Sequence, residues 1–230
     1  MRSVKDEISL FLFGLFAFVV AVFPYNAVGL LPSLEDWHSR HQLLVSLGAS
    51  LISVYGIHLV VSSANVRKFI YSMFIALFLI QNIHYYIDFQ RDWYKQLSLI
   101  ENYRASTIIK NYTTFLFDDK TQSLNANHRT YRFYEFAGQF KIAFGDEKRF
   151  GHLLQSYEGM DKISDFLNAS YNVGEYVRKK PEYLITINYG THPLDAFSII
   201  KLWYQEIFRH DKFKNNIKNI IKLDYERIIY

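Results

Sequence analysis

Residues 8–34, 42–66 and 69–87 contain no Asp, Glu, Lys or Arg, and these three runs fill most of the chain up to Ile87. A helix rises about 1.5 Å per residue and a bilayer's hydrocarbon layer is about 30 Å thick, so about 20 apolar residues suffice to cross it. Each run is close to that length or longer. The arrangement predicts three membrane-spanning helices in residues 1–87, followed by an extramembrane α/β domain in residues 88–230. The overall mean hydropathy of −0.05 hides this division, because the polar tail offsets the apolar start.

Arg2 and Lys5 before an apolar run resemble the start of a secretory signal. No A-x-A site follows Val22, however, and two further apolar runs come after it, so the first run reads as a retained helix. Pro24 suits a helix that breaks or kinks at the outer interface. Short loops set orientation: Arg2, Lys5, Arg67 and Lys68 place the amino terminus and the turn near Arg67 in the cytoplasm. Residues 23–44 and 88–230 are then extracytoplasmic.

The tail predicts alternating elements. Trp93, Leu97, Ile100, Tyr103 and Ile108 trace a helical stripe that continues the third span. TTFLF, residues 113–117, reads as a buried strand closed by Asp118 and Asp119. Residues 131–144 form a helix with Phe133, Ala137, Phe140 and Phe144 on one face, stopped at Gly145. YLITINY alternates between Pro181 and Gly190 as a strand. Pro193 opens a helix with Leu194, Phe197, Ile200 and Tyr204 on one side. A final basic helix turns Phe213, Ile217, Ile220 and Ile221 inward and Lys212, Lys214, Lys218 and Lys222 outward. Helix alternating with strand is the pattern of a small α/β domain.

The chemistry-bearing residues concentrate in one polar island, LEDWHSRH, between the first two runs. Glu35 and Asp36 are candidate catalytic carboxylates, as a general base or as ligands to a divalent metal beside two histidines. His38, Arg40 and His41 are candidates for binding a lipid-linked phosphate, since the guanidinium fork matches phosphate oxygens. The alternative is an anchoring hairpin, with Trp37 in the interfacial belt and Arg40 snorkelling. His58 and His84 are polar groups inside the second and third runs, suited either to function or to hydrogen bonds between helices. Asp118 and Asp119 sit where α/β folds bind ligands, but a two-carboxylate turn is also ordinary turn chemistry. NYGTH, residues 188–192, is either an anion site at a helix start or a plain connecting loop.

Other classes are excluded or unsupported. With no cysteine, disulfides, thiolate nucleophiles and cysteine-ligated metals cannot occur. The tail carries 21 basic and 18 acidic residues, a mixed surface with no nucleic-acid stripe. No motif specifies a cofactor or a dedicated metal site.

FPYNAVGLLPSLEDWHSRHQLL, DWYKQLSLIENYRAS and YRFYEFAGQFKIAFGDEKRFG together resemble the carboxy-terminal part of multi-spanning prokaryotic membrane proteins of surface-polysaccharide assembly, some of them C-type glycosyltransferase-like. The resemblance implies a membrane setting and a polyprenyl-phosphate sugar donor. It also implies many spans and acidic catalytic residues in an early outer loop, whereas this chain offers three spans. The first expectation is therefore an accessory or structural subunit of a larger membrane assembly, with other membrane subunits and the lipid bilayer as partners. The rival is a glycosyltransferase-like enzyme in which Glu35 or Asp36 is the base and Arg40 holds the donor phosphate.

Overall fold

The computed structural model describes residues 4–27, 29, 43–155, 176–177 and 179–229. The chain forms two compact units, Met1–Asn82 and Ile83–Tyr230. It is mostly helical, with one small α/β sheet domain in the second unit.

The first unit holds α1 (Val4–Ala27), α2 (Leu43–Val60) and the start of α3 (Ala64–Ala105). Among the described residues, two helices are long and apolar enough to cross a membrane: Val4–Pro24 of α1 and α3. The apolar part of α2, Val45–Val60, is shorter. Hardly any side chain in the two apolar windows is buried, which distinguishes them from the core helices of a soluble fold. Pro24 does not end α1, which continues to Ala27. A proline this close to a helix end costs one backbone hydrogen bond and leaves little helix beyond it to kink.

Helices α1 and α2 approach closely through two glycines. A Cβ on Gly48 would lie 2.6 Å from the Phe18 backbone nitrogen and 2.7 Å from its Cα; one on Gly14 would lie 2.7 Å from the Leu51 Cβ. Small residues at such crossings let helices approach closely and gain dispersion contacts. Gly48→Leu is expected to force the pair apart and cost about 1–3 kcal/mol or more. Gly56→Ala is the control, because its Cβ would meet only the Phe11 ring at 3.5 Å. Thermal unfolding in mild detergent should separate the two variants; equal midpoints would refute the close-crossing argument.

The second unit is built around a mixed four-stranded sheet of order β2-β1-β3-β4. Here β1 is Thr114–Asp119, β2 Phe150–Leu153, β3 Tyr183–Tyr189 and β4 Ile221–Arg227. β1 pairs parallel with both β2 and β3, while β4 pairs antiparallel with β3. The helices are the end of α3, α4 (Thr107–Asn111), α5 (Phe133–Phe144), α6 (Ala196–Phe208) and α7 (His210–Lys218). Ser106 ends α3 and caps α4, its side chain accepting from the Ile109 amide. Gly145 closes α5 with φ of 77°, a left-handed conformation that suits glycine.

The core lies on one face of the sheet. Phe115 and Phe117 of β1 and Ile185 and Ile187 of β3 pack against Leu99 and Tyr103 of α3 and Phe136 and Phe140 of α5. Phe117 and Phe136 stack with ring centroids 4.2 Å apart. Gly151 makes room for that stack, since a Cβ there would come within 2.5 Å of the Phe117 ring.

Four sequence expectations are corrected. Strand β1 extends through Asp118 and Asp119. FGHL forms β2, which no sequence signal announced. The final basic helix stops at Lys218, and Ile221 opens β4 with Ile221, Leu223 and Tyr225 on the core side. The buried side of α3 is Asp92, Tyr94, Lys95, Ser98, Leu99, Ile100 and Tyr103, while Trp93 of the expected stripe is 45% exposed.

Candidate functional site

Glu35, Asp36, His38, Arg40 and His41 all lie outside the described residues. His58 is in the last turn of α2, where its Nδ1 is 3.1 Å from Glu7 Oε1 of α1 and 3.4 Å from Arg67 Nη1 of α3. Three helix ends thus meet in a partly buried ionic group, with Tyr71 donating to the Val54 carbonyl at 3.0 Å nearby. His84 sits on an outward face of α3, its Nε2 3.8 Å from Asp88 and its side chain 67% exposed.

The two aspartates of β1 point to opposite faces of the sheet. Asp118 pairs with Lys120 at 2.6 Å on a half-open surface. Asp119 turns into the core, where Lys95 of α3 meets it.

Lys95 is fully buried. Its Nζ donates to Asp119 Oδ2 at 2.6 Å, to Asn125 Oδ1 at 2.6 Å and to the Thr121 carbonyl at 3.1 Å, which uses all three N–H bonds. The ammonium also lies 4.8 Å from the Tyr131 ring centroid. Asp119 Oδ1 accepts from the Thr121 amide at 2.8 Å and its hydroxyl at 2.7 Å. Burial pulls the Lys95 ammonium below its ordinary value, and the Asp119 and Asp92 carboxylates offset part of that pull.

A second carboxylate completes the cluster. Asp92 accepts from the Tyr131 hydroxyl, from Gln96 at 3.2 Å and from Arg129 Nη2 at 3.0 Å. Arg129 also pairs with Glu135 at the start of α5. Burial, and then the Asp92 charge, push the Tyr131 phenol well above its ordinary value.

This cluster sits at the carboxyl end of β1, where connections leave the sheet in opposite directions and α/β folds usually place ligands. Here every donor of Lys95 and both oxygens of Asp119 and Asp92 already have protein partners. The group therefore fastens α3 to β1 and to the Arg129–Tyr131 segment. Farther along the same face of α3, Ser98 accepts from the Ile221 amide at 3.1 Å, and Asn102 donates to the Lys218 and Ile221 carbonyls at 3.2 and 3.1 Å. The polar stripe Asp92, Lys95, Ser98 and Asn102, spaced three or four residues apart, joins α3 to β1, to the Arg129–Tyr131 segment and to β4. Its helical spacing was the available signal.

The NYGTH loop is engaged internally. The Gly190 and His192 amides donate to the Ile220 and Asn219 carbonyls at 2.8 and 2.9 Å. Asp195 caps α6 by accepting from the Ser198 amide at 2.7 Å, so a carboxylate of the protein already occupies that helix start. Among the described residues, no group of three or more His, Asp or Glu is placed to hold a metal ion. No family model, curated protein or solved structure matches the chain.

Proposed function

We propose that this chain is an integral membrane protein with three spans, acting as a non-catalytic accessory subunit of a larger membrane assembly. Cell-surface glycan assembly is the context that the sequence resemblance suggests. The observation that carries the reading is α3: one helix of 42 residues whose first part is apolar and outward-facing and whose last part is fastened into the sheet domain. Such a helix carries the chain without a break from an apolar, outward-facing segment into the folded sheet domain. The saturated Lys95–Asp119–Asp92 cluster supports the non-catalytic role, because it fills the place where an α/β enzyme would keep reactive groups free.

Orientation follows the short-loop charges. Lys5, Arg67 and Lys68 belong to the helix ends gathered around His58, which assigns that end to the cytoplasm and residues 88–230 to the outside. Outward-facing apolar residues of α1 and α3, such as Phe16 and Phe78, meet lipid or partner helices.

Gentle detergent extraction followed by native mass measurement tests the proposal. A stable complex with larger membrane proteins is the expected result. A monomer that retains a polyprenyl phosphate, and whose transfer activity is lost in Asp36→Asn, would overturn it in favour of the enzyme.

A further inference from the structure

Helix α6 is apolar on both sides. Ile199, Leu202 and Gln205 face the core. The opposite stripe contains Phe197, Ile200, Tyr204, Ile207 and Phe208, which are 86%, 57%, 46%, 54% and 65% exposed. Their spacing follows the 3.6-residue period, so they form one continuous outward band. Trp203 flanks it on one side and Lys201 on the other, and Arg209, His210 and Lys212 follow the helix directly. The sequence pattern groups Leu194, Phe197, Ile200 and Tyr204 on one side of a helix opened by Pro193; the helix starts at Ala196, Leu194 before it is buried, and the other three lie on the exposed face.

The position of α6 within the second unit suggests what covers this band. Arg91 Nε donates to the Leu194 carbonyl just before α6, at 3.3 Å, and the Tyr94 hydroxyl donates to Glu206 in its last turn, at 3.1 Å. The helix between them is about 15 Å long, yet Arg91 and Tyr94 are only about 4.5 Å apart along α3. Side chains from one turn of α3 thus reach both the start and the last turn of α6, which holds α6 beside α3 at this height. That turn begins four residues after the uncharged run ends at Ile87. The outward apolar side chains of α3 itself continue through Ile83, Tyr86 and Phe89 up to this point. α7 meets the same Tyr94 through Phe213 and contacts α3 farther on through Asn102.

We infer that α6 lies in the bilayer interface, with its Phe197–Phe208 band inserted among the acyl chains and its flanking basic residues at anionic headgroups. A helix held beside a membrane-spanning rod at the height where that rod leaves the hydrocarbon is placed at the interface. Aromatic residues on the inserted side and Lys or Arg at the edges are the composition such helices use. The inference rests on α3 crossing the bilayer, as proposed above.

The absence of cysteine makes the test direct. Ile200→Cys and Tyr204→Cys, each spin-labelled in the full chain, are placed in vesicles of mixed zwitterionic and anionic phospholipid. Asn215→Cys on α7 serves as an aqueous control and Phe78→Cys as a control within the span. Collision with dissolved oxygen should dominate over collision with a water-soluble nickel chelate at 200 and 204, at a shallower depth than at 78. Nickel-dominated collision at 200 and 204 would put α6 in water and refute the inference. Exclusion of both reagents there would also refute it, by showing a protein partner over the band. An oxygen-dominated signal at 78 in either case would leave the spanning reading intact, whereas a nickel-dominated signal at 78 would remove both.

Discussion

Lys95→Met is expected to destabilise the sheet domain by about 3–5 kcal/mol, because it leaves Asp119 charged, buried and without its counter-ion. Asn125 Oδ1 and the Thr121 carbonyl lose their donor in the same step. Much of that cost belongs to the orphaned charge. Lys95→Met combined with Asp119→Leu should therefore recover a substantial part of it, although Thr121 then lacks its acceptor. Denaturant unfolding of the single variants and the pair gives the coupling energy. A Lys95→Met protein as stable as the parent would show that the cluster does not fasten α3 to the sheet. It would also remove the main support for a structural reading of this end of β1.

Alkaline pH should unfold the same domain cooperatively. Tyr94, Tyr103 and Tyr131 are fully buried, and burial raises each phenol above its ordinary value, with Glu206 adding to the effect at Tyr94 and Asp92 at Tyr131. Above about pH 10 the unfolded chain releases protons that the folded chain retains, so stability falls as pH rises. The loss is about 1.4 kcal/mol per pH unit for each phenol, or up to about 4 kcal/mol per unit for three. Lys95 acts with the opposite sign, since its folded-state value is lowered. Between that value and about 10.5 the unfolded chain binds the extra proton, and stability rises with pH. Three phenols outweigh one ammonium, so the net decline should set in at about pH 10. Tyrosinate absorbance and far-ultraviolet circular dichroism, followed together, should change in one step. Tyrosines that ionise smoothly while the helical signal persists would contradict it.

Elements defined by apolar period and punctuation were legible in the sequence. β3 lies between Pro181 and Gly190, α5 stops at Gly145, and the apolar runs became α1, α2 and the start of α3. What escaped was burial carried by polar groups. The apolar stripe passes over Lys95, Asp92 and Ser98 because each is polar, and only three-dimensional contact shows the buried partners that satisfy them. β4 escaped because the lysines before it favoured continuing the helix, whereas pairing with β3 selected the Ile221, Leu223, Tyr225 alternation. Strand β2 is four residues long, too short for any period to be read. For α6 the stripe was visible but its direction was not, since both of its sides are apolar. Of the site expectations, the polar island falls outside the described residues, while the histidines and the NYGTH loop lie beside intramolecular partners.

The pairing order of the sheet has a consequence for biosynthesis. Phe115 of β1 pairs with Tyr183 of β3, 68 residues later in the chain. At about 5–20 residues per second, β1 waits roughly 3–14 s after its own synthesis before that neighbour exists. During this interval Phe115, Leu116 and Phe117 have open backbone on the β3 side. A nascent β-prone strand with an open edge is an aggregation hazard.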